Sequence, residues 1–445
     1  MLGGGPGGYS AAIRLGKLGV HTLIVDREGL GGVCIREGCI PSKALLHHTA
    51  HMSEIQIEKN NPDDPRLAEL RKSGREATQR LVKGIEFLLK KAGVEHINAW
   101  GTIQNGHNLK ITPVQGEEFN VQWEKLVLAT GSVAFDPIGL PESAKIWNST
   151  MALSLPYVPE TMVVAGGGYV GLELATIYAR MGAKVTVVEM MDHILPLLAP
   201  DIARQVTQAM KRQGIQVITG AKITGMDVRE GIIHYERRGK SAEIRTDCLL
   251  NAVGRRPFTK GFGLENLDLK ITDKGFVFVD DTMRTSKPDV FAIGDLSGPP
   301  MLAHKAYAEA RIAALNIAGQ PTAFTARVIP SVVFTDPAAG VVGIVPQEKD
   351  GYVQGRFPMT ASGRGTAEGA TAGFVRVWAK QDSHEIVACE VVGKATETVI
   401  AEATLAIQNH LTLEAVEETV HMHPTYSETF AEVCEVALKH PLHIP

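Results

Sequence analysis

Cys34 and Cys39 lie in GGVCIREGCIPSKALL, just past a glycine-rich turn and directly ahead of a segment that reads as a helix. Two thiols so placed can be closed and reopened by electrons, which points to dithiol–disulfide redox chemistry. On a regular helix, Cα atoms five residues apart lie roughly 8–9 Å from one another, whereas a disulfide wants about 4.4–6.8 Å. The helix must therefore be interrupted, and Gly38, immediately before Cys39, has the conformational freedom to do so. Pro41 favours the first helical position and KALL continues the helix, so Cys39 is expected at a helix N-terminus. The free N–H groups and the dipole there favour a thiolate. Cys39 is thus expected to be the stable anion beside a redox group, and Cys34 the sulfur that meets the redox partner. A structural disulfide is disfavoured in a chain without a signal sequence, and a zinc site on Cys34, Cys39 and His47 or His48 lacks an evident fourth ligand.

The rest of the chain must position this pair. Its 445 residues, 44% hydrophobic and 21% charged, suit a globular protein of about three domains. A net charge of −4 provides no basic field for phosphate backbones, so no nucleic-acid role is expected. No apolar run is long enough to span a bilayer, and no targeting segment is legible, which leads to the expectation of a cytoplasmic protein with no membrane role. Cys248, Cys389 and Cys434 are scattered singly and read as small buried hydrophobes.

Two segments repeat one pattern without gaps. GGGPGGYSAAIRLGKLGVHTLIVD, from Gly3 to Asp26, lies over GGGYVGLELATIYARMGAKVTVVE, from Gly166 to Glu189. The shared positions are Gly3, Gly5 and Gly8 against Gly166, Gly168 and Gly171, then Gly19 against Gly182, and Asp26 against Glu189. The three glycines allow a tight turn, close approach of a pyrophosphate and helix-on-strand packing, and the acid binds ribose hydroxyls. One such pattern is weak evidence; two, each with strand, helix, strand and acid in order, specify two dinucleotide sites. The first, beside the cysteines, is expected to hold FAD and the second a nicotinamide. Glu189 would repel a 2′-phosphate and MMDHIL after it has no arginine, so NAD is expected over NADP. Only Met1 and Leu2 precede the first cluster, where a strand of about five residues is usual, so a weakened first strand and weaker flavin retention are expected.

GCIPSKALL, VLATGS, GGGYVGLE, AVGRRPF, VFAIGDL, PMLAHKA, IPSVVFTDP and HMHPTYSE occur in an order that resembles the pyridine nucleotide-disulfide oxidoreductases. The likeness is greatest to members that oxidise dihydrolipoamide to lipoamide while reducing NAD⁺. The resemblance implies that Asp295 binds the ribityl chain of FAD, that Met301, Leu302, Ala303 and His304 form a further flavin segment, and that Thr130, Gly131 and Ser132 form another contact. Gly101 is grouped with these cofactor residues. Lys43 resembles the lysine beside the reactive flavin nitrogen, paired with Glu173, while Ile223 and Gly254 would line the nicotinamide site. His423 and Glu428 are similar to an acid–base pair contributed across an obligatory homodimer, and lipoyl groups of 2-oxo acid dehydrogenase complexes are the expected partners. His421 competes for the histidine's role, but Pro424 and Thr425 follow His423 as in the family's HPT.

The fold class expected is α/β: two Rossmann-like dinucleotide-binding domains plus a C-terminal α+β dimerisation domain. Boundaries are expected at 1–147 for the FAD-binding domain, 148–274 for the NAD-binding domain, 275–325 for a central segment completing the first, and 326–445 for the interface domain. In the last, GFVRVWA and EIVACEVVG read as antiparallel strands and TETVIAEATLAIQNH as an amphipathic helix. Two alternatives remain: an NAD(P)H-dependent reductase of another small disulfide, separable by its substrate, and a flavin-free dinucleotide-binding partner of a larger complex, separable by its lack of yellow colour.

Overall fold

Each glycine cluster sits where a strand gives way to a helix. The computed structural model describes residues 1–445 apart from 51–56, 327 and 349. After the first cluster come α1 (Pro6–Lys17), β1 (Leu23–Asp26), and then α2 (Gly32–Glu37) and α3 (Cys39–Thr49), which carry the two cysteines. The long α4 (Pro65–Lys91) starts sharply because the Asp64 carboxylate accepts the backbone N–H groups of Arg66 and Leu67. β2 (Glu95–Ile103), β3 (Asn108–Pro113) and β4 (Phe119–Gln122) form an antiparallel flap, followed by β5 (Leu126–Leu128) and β6 (Ser132–Ala134).

The second half of the pair begins with β7 (Ile146–Trp147) and α5 (Ser149–Leu153). The second cluster lies between β8 (Thr161–Ala165) and α6 (Tyr169–Arg180), and β9 (Lys184–Val188), α7 (Pro200–Arg212) and β10 (Gln216–Ile218) follow. A flap of β11 (Ala221–Asp227), β12 (Ile232–Arg237) and β13 (Lys240–Arg245) precedes β14 (Cys248–Asn251) and β15 (Arg255–Pro257). The resulting parallel sheet runs β10-β9-β8-β14-β7.

The first sheet follows the same path. β16 (Val290–Ala292) joins β5 in parallel, and Leu2 bridges Val25 of β1 on one side and Leu128 of β5 on the other. The Leu2 N–H donates to Val127 O and its own carbonyl accepts from Ala129, at 2.9 and 2.7 Å. The short segment expected to be deficient therefore occupies the central strand position and is paired on both edges, because β1 and β5 both reach it. α8 (Ala303–Ile317) packs lengthwise on α1.

The C-terminal part comprises β17 (Ser331–Val333), β18 (Ala338–Gly343), β19 (Tyr352–Pro358), α9 (Gly363–Ala367), β20 (Phe374–Lys380), β21 (Ile386–Gly393), α10 (Thr396–Gln408), α11 (Leu413–Glu417) and α12 (Glu428–Ala437). The sheet is antiparallel in the order β17-β18-β21-β20-β19. GFVRVWA and EIVACEVVG are antiparallel strands, as expected, and two of its three inner ones, yet nearly every residue in them is buried rather than every second one. Both faces are covered. Val377, Cys389 and Val391 pack under α10 and α12, while Arg376 on the other face reaches α7. Its guanidinium bonds the buried Glu390 and the half-exposed Asp201, each at 2.7 Å, and so ties α7 to the last sheet. Among the described residues no helix is long and apolar enough to cross a membrane.

Candidate active site

Between the two cysteines the helix breaks at Gly38, whose φ is −146° and ψ −110°. A Cβ there would lie 2.8 Å from Val33 O and 3.4 Å from Cys34 Cα, so the close return of the chain onto Cys34 needs glycine. α3 restarts at Cys39, two residues earlier than Pro41 suggests, and Ser42 N–H closes its first turn on Gly38 O at 2.9 Å. Pro41 remains within the first turn, where its missing N–H leaves no bond unmade. Cys39 is therefore the first residue of α3, and both thiols are free.

The two sulfurs differ in charge preference. Cys39 is held down to about 7, first by the hydrogen bond that the Cys34 thiol donates to it, against an opposing push from burial, and with help from the Lys43 charge. Cys34 is pushed far above the ordinary thiol range because it is the donor in that bond and because it is partly withdrawn from water. They also face different neighbours. Both sulfurs feel the Lys43 charge and Cys39 also that of Glu173, while Tyr9 feels Cys34 and Tyr307 feels both sulfurs.

Lys43 Nζ lies 2.7 and 3.0 Å from the two carboxylate oxygens of Glu173, one turn into α6. Phe334 completes this arrangement: its ring is 4.7 Å from Lys43 Nζ and its backbone N–H donates to Glu173 at 3.2 Å. The helix of the redox cysteines, the second nucleotide helix and the last sheet thus converge on one ion pair.

The two glycine cradles share their backbone-to-acid bond and their tight turn. Gly4 N–H donates to Asp26 Oδ2 at 2.5 Å and Gly167 N–H to Glu189 Oε2 at 2.6 Å. Gly3 and Gly166 have φ of +106° and +102°, which side chains rarely adopt. A Cβ on Gly8 would lie 1.9 Å from Gly3 O, and one on Gly171 would lie 2.2 Å from Gly166 O, so these glycines set helix-on-strand contact. The middle glycines differ: Gly5 has its nearest neighbour at 3.8 Å and Gly168 has nothing within 4 Å. Neither α1 nor α6 has a side chain capping its N-terminus. Open middle glycines before uncapped helices fit the pyrophosphates of two dinucleotides.

Near the first cradle, Ser132 Oγ donates to Asp295 Oδ2 at 2.5 Å and accepts from Arg255 Nε at 2.7 Å. Arg255 also donates to Ser132 O at 2.6 Å. Burial works against its charge, opposed by Asp295, Glu37 and Cys39, so this guanidinium lies within electrostatic reach of the Cys39 sulfur. Thr130 Oγ1 donates to Phe258 O, and Gly131, at φ +73°, accepts from Phe258 N–H. Ala303 opens α8, Leu302 is its N-cap, Met301 precedes it, and His304 bonds Pro330 O at 2.8 Å. Gly101 lies within β2, its Cα packed towards Leu2 and Val25 inside the sheet. Ile223 is buried in β11, and Gly254, at φ +141°, directly precedes β15.

His423 Nδ1 is 2.9 Å from Glu428 Oε2, and its side chain is 75% exposed. His421 has both ring nitrogens engaged, with Thr419 O at 2.7 Å and Glu402 at 2.6 Å, and its side chain is 9% exposed. Only His423 offers an open ring nitrogen. No hydrogen bond or ion pair links it to Cys34 or Cys39 within the chain, among the described residues. Sequence reasoning missed Arg255 and Phe334 individually, although both lie inside motifs it quoted, AVGRRPF and IPSVVFTDP. It also missed the Tyr9–Tyr307 contact, for which no local pattern exists.

Residues 1–310 match the family described as pyridine nucleotide-disulphide oxidoreductase, and residues 329–434 match the dimerisation domain of that family. The chain is 39% identical to a dihydrolipoyl dehydrogenase of Pseudomonas aeruginosa, covering 100% of this chain and 98% of that protein. It is 38% identical to a dihydrolipoyl dehydrogenase of Geobacillus stearothermophilus, at 100% and 97% coverage. Among solved structures it is similar to LpdA from Mycobacterium tuberculosis, with a TM-score of 0.88, 23% identity and 98% coverage of both chains. The HOCl-induced flavoprotein disulfide reductase RclA of Escherichia coli has a TM-score of 0.87 at 22% identity, again covering 98% of each chain. These two likenesses carry the fold.

Proposed function

The chain belongs to the pyridine nucleotide-disulphide oxidoreductases, and from that membership we propose that it oxidises dihydrolipoyl groups to the cyclic disulfide with reduction of NAD⁺. It is an FAD- and NAD-using flavoprotein oxidoreductase, and its dimerisation domain supports a homodimer. The observation that carries the reading is the Cys34–Cys39 pair, with the stabilised anion at the start of α3 beside Lys43 and Glu173. Lipoyl groups of 2-oxo acid dehydrogenase complexes and a cytoplasmic setting belong to the same proposal. So does the division of the chain at 147, 274 and 325, supported by the duplicated sheets and by the pairing of β16 with β5.

In this reading Gly3, Gly5, Gly8 and Asp26 hold the pyrophosphate and ribose of FAD, with Thr130 to Ser132, Asp295, and Met301 to His304 along its length and Gly101 grouped with them. Gly166, Gly168, Gly171, Glu189, Ile223 and Gly254 hold NAD. When bound, FAD supplies the two-electron connection between the dithiol and the nicotinamide. His423 of one subunit, its ring oriented by Glu428, takes a proton from a substrate thiol bound to the other. In the oxidised form, where Cys34 and Cys39 are joined as a disulfide, the substrate thiolate attacks Cys34, the Cys34–Cys39 bond breaks, and Cys39 leaves as the thiolate its surroundings favour. The second substrate thiol, deprotonated in turn, closes the substrate disulfide and releases Cys34. Lys43 and Glu173 fix the charge beside Cys39 throughout.

The test is turnover of dihydrolipoamide with NAD⁺ and NADP⁺, and the reverse reaction against glutathione disulfide and other small disulfides. Dihydrolipoamide with NAD⁺ is expected to be favoured by a wide margin; a preference for another disulfide or for NADP would overturn the reading.

A further inference from the structure

Behind Asp295 lies a buried ion pair that the chemistry above does not use. Lys305 and Glu309 stand one turn apart on α8, 2.7 Å from nitrogen to oxygen, and their side chains are only 7% and 5% exposed. Their other partners all lie in the turn at 294–298, which carries Asp295. Glu309 Oε2 accepts the Gly294 N–H at 2.6 Å, and the Ser297 hydroxyl lies 3.1 and 3.2 Å from its two oxygens. Lys305 Nζ lies 3.0 Å from Gly298 O, and 3.2 Å from both Gly294 O and Ser297 Oγ. The N–H and the carbonyl of Gly294 are thus both gripped, directly before Asp295, with Gly294 held at φ +77°. Lys305 follows the 301–304 segment without a break in α8, so one pair of side chains ties the Asp295 turn to that segment. Burying two charges is unfavourable in itself, and a well-packed apolar pair often folds as well, so stability alone does not call for them here.

We propose that Lys305 and Glu309 are a positioning pair for the flavin: they fix the Asp295 turn in register with the 301–304 segment before FAD binds. The inference rests on the placement of both segments along FAD in the function proposed above. A turn that the cofactor had to order for itself would subtract from its affinity, and a turn ordered beforehand does not. Ser132 Oγ meets the Asp295 carboxylate from the other side at 2.5 Å, so the acid is set from the turn behind it and from the strand before it. The pair acts on the flavin through Asp295 alone.

Lys305→Met combined with Glu309→Leu removes both charges and every bond they make to the turn. Equilibrium dialysis of the holoenzyme against graded free FAD is expected to show a dissociation constant raised about tenfold or more, as loss of a hydrogen bond to a charged group does. The melting temperature at saturating FAD should stay within a few degrees of wild type, because the two buried charges leave together. Ser297→Ala, which takes away only the hydroxyl between the pair and Gly294, should raise the constant by a smaller factor; it decides alone if the paired change does not fold. Neither change should weaken FAD much further once Asp295→Asn is present, since both act through that carboxylate. Losses that multiply with Asp295→Asn would overturn the proposal. FAD held as tightly as in wild type, while Asp295→Asn weakens it, would do so too and would leave the placement of Asp295 standing. Normal FAD binding by Asp295→Asn alone would instead defeat that placement, and the proposal with it.

Discussion

Lys43 Nζ and Glu173 Oε2, 130 residues apart in sequence, stand 2.7 Å from each other and join the helix of the redox cysteines to the second nucleotide helix. Glu173 is buried while Lys43 is partly open. Exchanging Glu173 for Gln keeps the shape and removes one charge. A charge-assisted hydrogen bond is worth about 1.5–3 kcal/mol, so reduction of the dithiol by NADH is expected to slow by ~10- to 100-fold in Glu173→Gln. Rapid-mixing kinetics would show this, and a rate equal to wild type would remove the ion pair from the chemistry.

The pH dependence of the Cys39 thiolate follows from its cause. Cys39 is lowered from 9.0 to about 7, so the fold maintains its thiolate between those values and loses it as pH falls through about 7. The long-wavelength absorption of the reduced holoenzyme is expected to follow that titration. Cys34→Ala removes the largest cause, the donated hydrogen bond, and should move the midpoint upward. Cys34→Ser, which retains a donor, should keep the absorption while abolishing disulfide exchange. Loss of the absorption in Cys34→Ser with retention in Cys39→Ser would reverse the assignment of the two sulfurs.

Replacing His423 by Gln is expected to reduce the dihydrolipoamide reaction by ~10²-fold or more, as loss of a general base does, and to leave ferricyanide reduction intact. His421→Gln should alter stability rather than rate, because both of its ring nitrogens already bind within the chain. Parallel steady-state assays separate the two histidines; a greater kinetic loss in His421→Gln would exchange their roles.

The cradle glycines predict two kinds of damage. Gly171→Ala places a methyl 2.2 Å from Gly166 O and is expected to lower the melting temperature, whereas Gly168→Ala meets nothing within 4 Å in the chain. Gly168→Ala should therefore melt normally and raise the KM for NADH, since its space is what a pyrophosphate needs. Calorimetry and NADH titration of both variants check this pair of outcomes.

The features legible in the sequence were those built from short-range spacing. The repeat from Gly3 to Asp26 and from Gly166 to Glu189 was readable because turn, helix, strand and acid succeed one another locally, and both copies make the same backbone-to-acid bond. The break at Gly38 was readable for the same reason, although α3 begins at Cys39 because the Ser42-to-Gly38 bond closes a turn ahead of Pro41. Arg255, Phe334 and Tyr307 reach the cysteine region only through the folding of distant segments, so no periodicity announces them. The burial of β20 on both faces was equally hidden, since its second cover, α7, lies far earlier in the chain. The companionship of Leu2 with two strands depends on β1 and β5 closing around it.

The central claim is that the cysteine pair and the flavin form one electron store. Anaerobic titration of the holoenzyme with dithionite tests it directly. Uptake of roughly four electrons per subunit, two by the dithiol and two by the flavin, is the predicted result; an endpoint at roughly two, unchanged in Cys34→Ser, would contradict it.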